Sequence, residues 1–457
     1  METPRDALLR DAAMRGARYL DGLDARPVYP DAAAIARLTA LGGPLPDGPS
    51  DPAETLALLD ALGSPATVAT AGPRYFGFVT GGALPAALAA NWLAGAWDQN
   101  AFSSVASPAA VAIENIALGW LLDALGLPAE CGAAFVTGAT MANVAGLAAA
   151  RHAVLARVGW DVEARGLFGA PPITVVVGEE AHATVFKALG LLGLGRERVL
   201  RVPADDQGRM RADAFPSLAA GPAIVCLQAG NVNSGACDPL AALIPRAHAT
   251  GAWAHVDGAF GLWAAAAPTR AQLVRGVADA DSWATDAHKW LNVSYDSGLA
   301  FVREPAHLRA AMSASAAYLL VGEEREPLAY TPDSSRRARG VEVWAALRAL
   351  GRAGVADLVE RCCRHAARFA DGLRAAGYEV LNEVALNQVL AAFGDDETTR
   401  RVIAGIQLDG TCWCGGTVWH GRAAMRISVS SWATTEADVE RSLEAMIRVA
   451  RDTRRMG

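Results

Sequence analysis

DSWATDAHKWLNVSYDSG, residues Asp281 to Gly298, reads as a short apolar strand that ends in a polar cluster, Asp286-Ala287-His288-Lys289. A Trp, a turn and a second apolar strand, GLAFVR, follow. Lysine is rarely placed where a strand delivers it to a buried polar turn. Held there, its amine can lose a proton and attack a carbonyl. Such a lysine needs partners, and the flanking chain shows where they come from.

Working outward, apolar β-rich runs alternate with helical segments from about Ala133: AAFVTG, ITVVVG, RVLRVP, AIVCLQAG, AWAHVDGA, DSWATDA and GLAFVR. Nearly continuous apolar strands separated by helices predict an α/β fold whose seven-stranded, mostly parallel sheet is buried on both faces. In such sheets the polar residues just past the strand ends gather into one crevice, where ligands bind. After Tyr330 a helical stretch from about Arg337 to Ala376 precedes the short strands YEVLN, NQVLAAF, GTVWHG and AMRISVS, and a last amphipathic helix starts near Thr435. That pattern predicts a smaller C-terminal α+β domain. Before Pro73 the chain looks helical, with Pro and Gly breaks around Gly42 to Pro52. The expected division is an N-terminal helical arm over 1–72, a large domain over 73–330 and a small domain over 331–457.

Bulk properties narrow the function. The 457 residues are too many for one ordinary core. With 52% hydrophobic and 19% charged residues the chain reads as a well-buried globular enzyme. The net charge of −7 and the lack of a long basic run argue against nucleic acid or an anionic membrane as partner. Seven cysteines, two of them adjacent (Cys362 and Cys363), read as free thiols; Cys412-Trp413-Cys414 lacks a second pair at zinc spacing. The N-terminus has no apolar signal core, and the longest apolar run, around Ala83 to Trp97, contains Asn91. A reduced cytoplasmic setting is expected.

The strand ends carry the chemistry. After AAFVT, Gly138-Ala139-Thr140-Met141-Ala142-Asn143 opens a helix, where backbone N–H groups can cradle a phosphate; a plain N-cap is the alternative. No G-x-G-x-x-G or Walker pattern is present. His182 follows ITVVVG and can lie flat on an aromatic ligand. Asn231 follows AIVCLQAG, either in a polar turn or as a donor to a ring substituent. Asp257 ends AWAHVD beside the small Gly258 and Ala259; it either caps or pairs locally, or faces a positively charged ring nitrogen. A nucleophilic lysine, a carboxylate, a phosphate cup and a stacking imidazole are together the parts list for pyridoxal 5′-phosphate (PLP).

The chain resembles the PLP-dependent group II amino-acid decarboxylases, which include aromatic-L-amino-acid, tyrosine, glutamate and diaminobutyrate decarboxylases. The resemblance runs from about Pro73 to the C-terminus, on PRYFGFV, EEAHATVFKALGLLG, AWAHVDGAFG, DAHKWLNVSYDSG and SSRRARGVEVWAALRALG. It implies the aspartate-aminotransferase fold, PLP fold type I. It also implies that Lys289 is the Schiff-base lysine, that Asp257 pairs with the pyridine nitrogen, and that His182 and Ala259 pack on the two ring faces. Ala139 and Thr140 would bind the phosphate, with Asp286 and His288 beside them and Asn231 near the ring substituents. A loop over Leu320 to Arg337 would close over a neighbouring subunit's site in a homodimer with shared sites, with Tyr330 as the candidate acid. Arg426 could hold a substrate carboxylate. Tyr75, Phe76, Trp97 and Phe102 are aromatic pocket candidates, which favours aromatic or other apolar amino acids. Decarboxylation is the expected reaction. A carbon–carbon lyase, an aldehyde-forming oxidase or an aminotransferase would use the same Lys and Asp, and the intact site argues against a non-catalytic homologue.

Overall fold

The computed structural model describes residues 3–313 and 325–455. They form two compact units, one of residues 83–367 with 381–390, the other of residues up to 82 with 368–380 and from 391 onward.

The larger unit carries a seven-stranded sheet: β1 (Gly132–Val136), β2 (Thr174–Gly178), β3 (Leu200–Val202), β4 (Ala223–Gln228), β5 (Trp253–Asp257), β6 (Ser282–Asp286) and β7 (Gly298–Val302). The order is β1-β7-β6-β5-β4-β2-β3. β7 runs antiparallel to both neighbours, and the other pairs are parallel. Every residue of β1, β4, β5, β6 and β7 is buried, as expected for strands covered on both faces. The helix Ala139–Ala156 lies on one face and buries Ala142, Ala145, Ala148, Ala149, Ala150 and Ala153. These short side chains let the helix approach the strands closely, with dispersion contacts along its length.

Parallel topology brings the C-terminal ends of β4, β5 and β6 side by side, with Gln228 beside Asp257 and Asp257 beside Ala284. The turn after β1 is drawn to the same edge by β7, because Val136 pairs with Gly298. A Cβ on Gly298 would run into the Gly138 backbone, so this approach requires glycine.

The smaller unit holds β8 (Glu379–Val380), β9 (Gln388–Ala392), β10 (Gly415–Trp419) and β11 (Arg422–Ser428), in the order β10-β11-β9-β8. The amphipathic helix Glu436–Arg455 belongs to it and buries Val439, Leu443 and Met446. The expected divisions after 72 and after 330 are not those of the units. The N-terminal segment pairs its backbone with C-terminal residues: Val28 N–H donates to Gly410 O, Phe76 N–H to Trp413 O, and Ser428 N–H to Phe76 O. The helix Gly340–Ala375 begins in the larger unit and ends in the smaller one, so position 330 marks no structural border.

All seven cysteines are free thiols. Among the described residues no helix is long and apolar enough to cross a membrane, and no cluster of three His, Cys, Asp or Glu could hold a metal ion.

Candidate active site

Two carboxylates stand at the ends of adjacent strands. Asp286 ends β6, is buried, and accepts the Ala139 N–H through Oδ1 at 2.6 Å. Ala139 is the first residue of its helix, so an anionic oxygen sits on the positive end of the helix dipole. Lys289 Nζ lies 3.0 Å from Asp286 Oδ2. His288 Nε2 is 3.6 Å from the same oxygen, too far for a hydrogen bond. Burial pushes the His288 imidazolium down, and Asp286 opposes that shift. Its Nδ1 accepts the Ser297 N–H at 3.0 Å, and its ring stacks on Tyr295 at 4.2 Å. Thr140 occupies the second helical position, half-buried.

Asp257 ends β5 and is also buried. Its Oδ2 accepts from Asn143 Nδ2 at 3.1 Å and its Oδ1 from the Ala259 N–H at 3.2 Å. Burial pushes its carboxyl up; His182, Lys289, Asn143 and the Ala259 amide pull it down. A buried carboxylate held by neutral donors favours a cationic partner. His182 is the N-cap of the helix Ala183–Leu191, and its Nδ1 is held by Thr184, 2.7 Å to Oγ1 and 3.3 Å to the backbone N–H. The cap fixes the ring: Nδ1 accepts the Thr184 N–H, so Nε2 carries the proton of the neutral imidazole.

Lys289, Asp257, His182, Asp286, His288, Ala139, Thr140 and Ala259 therefore share the C-terminal edge of the sheet. Asn231 shares that edge, but its side chain is engaged in its own turn. Its Oδ1 accepts the N–H groups of Asn233 and Ser234, and its Nδ2 donates to Glu180 O. This is the polar-turn alternative, favoured because buried backbone donors require an acceptor.

Tyr330 does not join the cluster. Its ring is buried among core residues including Ala134 and Leu308, close to Gly132, with the Arg325 guanidinium 4.9 Å above it. Gly132 opens β1 and Gly138 follows its other end, so about 20 Å of extended chain separates Tyr330 from its own chain's site. Within its own chain Tyr330 therefore packs in the core; the expected role as acid is in a neighbouring subunit's site. Of the expected loop, Leu320 to Glu324 lie outside the described residues. Arg325 and Arg336, within the same loop, both pair with the buried Glu114. Trp97 ends the helix Pro85–Trp97 half exposed, and Phe102 follows, its carbonyl accepting the Leu328 N–H. In the smaller unit Tyr75 stacks on Trp413 and Phe76 meets Phe369 edge-on. Arg426 on β11 is half-buried; burial pushes its guanidinium down and Tyr75 opposes this.

The sequence reading missed Asn143, His255 and Ser282. The signal lay in WAHVD: alternate residues of a strand share a face, so Trp253, His255 and Asp257 line up on one side of β5.

A lysine and two buried carboxylates stand at neighbouring strand ends of an α/β scaffold, beside a helix N-terminus whose amide holds a carboxylate oxygen, a set whose chemistry suits PLP. The donor set fits the cofactor: an amine for its aldehyde, Asp257 for its ring nitrogen and the Ala139 amide for its phosphate. The family model of the pyridoxal-dependent decarboxylase conserved domain matches residues 64–393, and the chain belongs to that family. It is thus a PLP-dependent carboxy-lyase acting on an amino acid. The chain is 29% identical over 416 residues to tryptophan decarboxylase 1 of Oryza sativa subsp. japonica, covering 82% of this chain and 79% of that one. It is 26% identical over 429 residues to phenylacetaldehyde synthase of Arabidopsis thaliana, covering 87% and 86%. The crystal structure of Oryza sativa TDC with PLP and tryptamine superposes with a TM-score of 0.89 at 25% identity, covering 99% of both chains.

Proposed function

We propose that this chain converts an L-amino acid to its amine and CO2 with PLP held covalently at Lys289. The observation that carries the reading is the Lys289 amine, 3.0 Å from Asp286 at the end of β6 and within electrostatic reach of Asp257 at the end of β5. When bound, the cofactor supplies an electron-poor ring that takes up the electron pair left by departing CO2. Asp257 holds the proton on the ring nitrogen, and its burial strengthens that charge pairing. The Ala139 amide and Thr140 take the phosphate, with Asp286 turning to Lys289 and His288. His182, locked through Nδ1, would lie against the ring with Nε2–H as its hydrogen-bond donor.

Aromatic or other apolar amino acids are the proposed substrates, a reading supported by the likeness to a tryptophan decarboxylase. Trp97, Phe102, Tyr75, Phe76 and Arg426 are the proposed substrate residues. A homodimer with shared sites is supported by Trp92, Leu93 and Trp97, which leave a 13-residue helix 46%, 55% and 43% exposed. A second reading, conversion to an aldehyde, is supported by the likeness to phenylacetaldehyde synthase.

The test incubates PLP-loaded protein with each amino acid and measures CO2, amine, aldehyde and hydrogen peroxide. Borohydride should fix the cofactor to the peptide carrying Lys289, and Lys289→Ala should lower turnover by roughly 10⁴–10⁶-fold. CO2 with aldehyde and peroxide would move the assignment to the second reading. Absence of CO2 from every amino acid would end the decarboxylase proposal.

A further inference from the structure

Behind Asp257 a row of buried polar groups runs the length of β5. Trp253 Nε1–H donates to Ser282 Oγ at 2.8 Å, and Ser282 Oγ lies 2.8 Å from His255 Nδ1. His255 Nε2 is 2.9 Å from Asn143 Oδ1, and Asn143 Nδ2 donates to Asp257 Oδ2 at 3.1 Å. None of the five residues is more than 4% exposed. The ring of His255 lies against Gly146 in the covering helix, where a Cβ would come within 2.8 Å of Cε1.

The ends of the row decide its direction. An indole N–H can only donate, and a carboxylate can only accept. Ser282 accepts from Trp253, so its own hydrogen is available to His255 Nδ1. Asn143 gives its amide N–H to Asp257, so its Oδ1 faces His255 and Nε2 must carry the imidazole proton. Every link then points the same way and no atom of the row is left unpaired. The imidazole is neutral: burial pushes its pKa down to about 3. We propose that Trp253, Ser282, His255 and Asn143 form a one-way hydrogen-bond chain that positions Asp257 and holds it as a permanent anion beneath the ring nitrogen of the cofactor. Aligned hydrogen bonds in a low-dielectric interior polarise one another, so the donor reaching Asp257 is stronger than an isolated amide. The chain answers the burial that pushes the Asp257 carboxyl up. The other groups acting on Asp257 are His182 past β2, Lys289 past β6 and the neutral Cys226 thiol on β4.

The inference rests on the PLP reading for its purpose, but its geometry can be tested without cofactor. In PLP-free protein labelled with [15N]histidine, His255 should show a protonated Nε2 and a bare Nδ1 across pH 5–8. A protonated Nδ1 would reverse the row and overturn the proposal. In protein loaded with PLP labelled at the ring nitrogen, the 15N signal should report a protonated nitrogen. Asn143→Ala should deprotonate it and weaken PLP binding by about tenfold, since hydrogen bonds to charged groups contribute more than neutral ones. Ser282→Ala, two links away from Asp257, should shift the ring-nitrogen titration in the same direction by less. Val256→Ala, on the opposite face of β5, should loosen the core without moving the signal. A wild-type titration in Ser282→Ala and Asn143→Ala, or an equal shift in Val256→Ala, would leave these residues merely structural.

Discussion

Asp257 and Asp286 are the same residue type at the ends of adjacent strands, both buried, yet their surroundings differ. Asp257 accepts from two neutral donors, one of them at the end of a row that reaches back to Trp253 in steps of 3.1, 2.9, 2.8 and 2.8 Å. Nothing in that row can leave or titrate near neutral pH. Asp286 accepts from a helix-terminal amide and meets a lysine at 3.0 Å and an imidazole at 3.6 Å. Those partners are the groups a phosphate and an aldehyde would engage. In the proposed site the first carboxylate serves as a fixed charge, and the second holds the place of an anion. A buried carboxylate is stable in either setting; whether its partners are exchangeable decides which one works as an anchor.

Three changes would break or sharpen this contrast. The largest effect is expected from Asp257→Ala, which removes the fixed charge: kcat should fall by about 10²–10⁴-fold, the range for losing an electrostatic stabiliser of a developing charge. Steady-state kinetics at saturating PLP measures it, and a loss under threefold would remove Asp257 from the site.

A third buried carboxylate shows the cost of incomplete pairing. Glu342 is 1% exposed; Asn91 donates to its Oε2, and its Oε1 lacks a hydrogen-bond donor among the described residues. Burial pushes its pKa from 4.5 up to about 7. The folded protein therefore binds more protons than the unfolded chain between those values. Stability from this group is full below about pH 4.5 and is lost as pH rises through 7, a change on the order of 3 kcal/mol. Glu342→Gln should flatten that part of the profile and raise the denaturation midpoint at pH 8. Parallel profiles for the two proteins would count against it.

The smallest effect is expected from Asp286→Asn. It keeps an acceptor for the Ala139 amide and removes a negative charge from the phosphate position, so PLP should bind about tenfold tighter, or 1.4 kcal/mol. Fluorescence titration with PLP measures this, and weaker binding would mean that the charge of Asp286 is needed in the loaded site.

Much of the fold was legible in order along the chain. Continuous apolar runs mark the strands of a mostly parallel sheet, and all seven appear where they were expected. Lys289, Asp257 and His182 were legible because each follows a strand, and strand ends converge in a parallel sheet. Position in a loop says nothing of which way a ring turns: in its own chain Tyr330 turns inward, towards Arg325 and the core near Gly132. Asn231 serves its own turn, because backbone donors there would otherwise be buried unpaired, and that contact is not visible in residue type alone. The domain borders were misplaced because backbone pairing joins residues near 28 and 76 to residues near 410 and 428.

The amino-acid sequence by itself determined the kinds of element, their order and the reactive groups at the strand ends, because periodicity and residue chemistry are local properties. Tertiary structure alone decided which polar groups face each other. His255 and Ser282 are neighbours only because β5 and β6 pair, and His255 reaches Asn143 only because Gly146 leaves room beneath the helix. Lys289 is placed by its strand, and the role of Asp257 beside it is set by a hydrogen-bond row that no stretch of sequence contains in one piece.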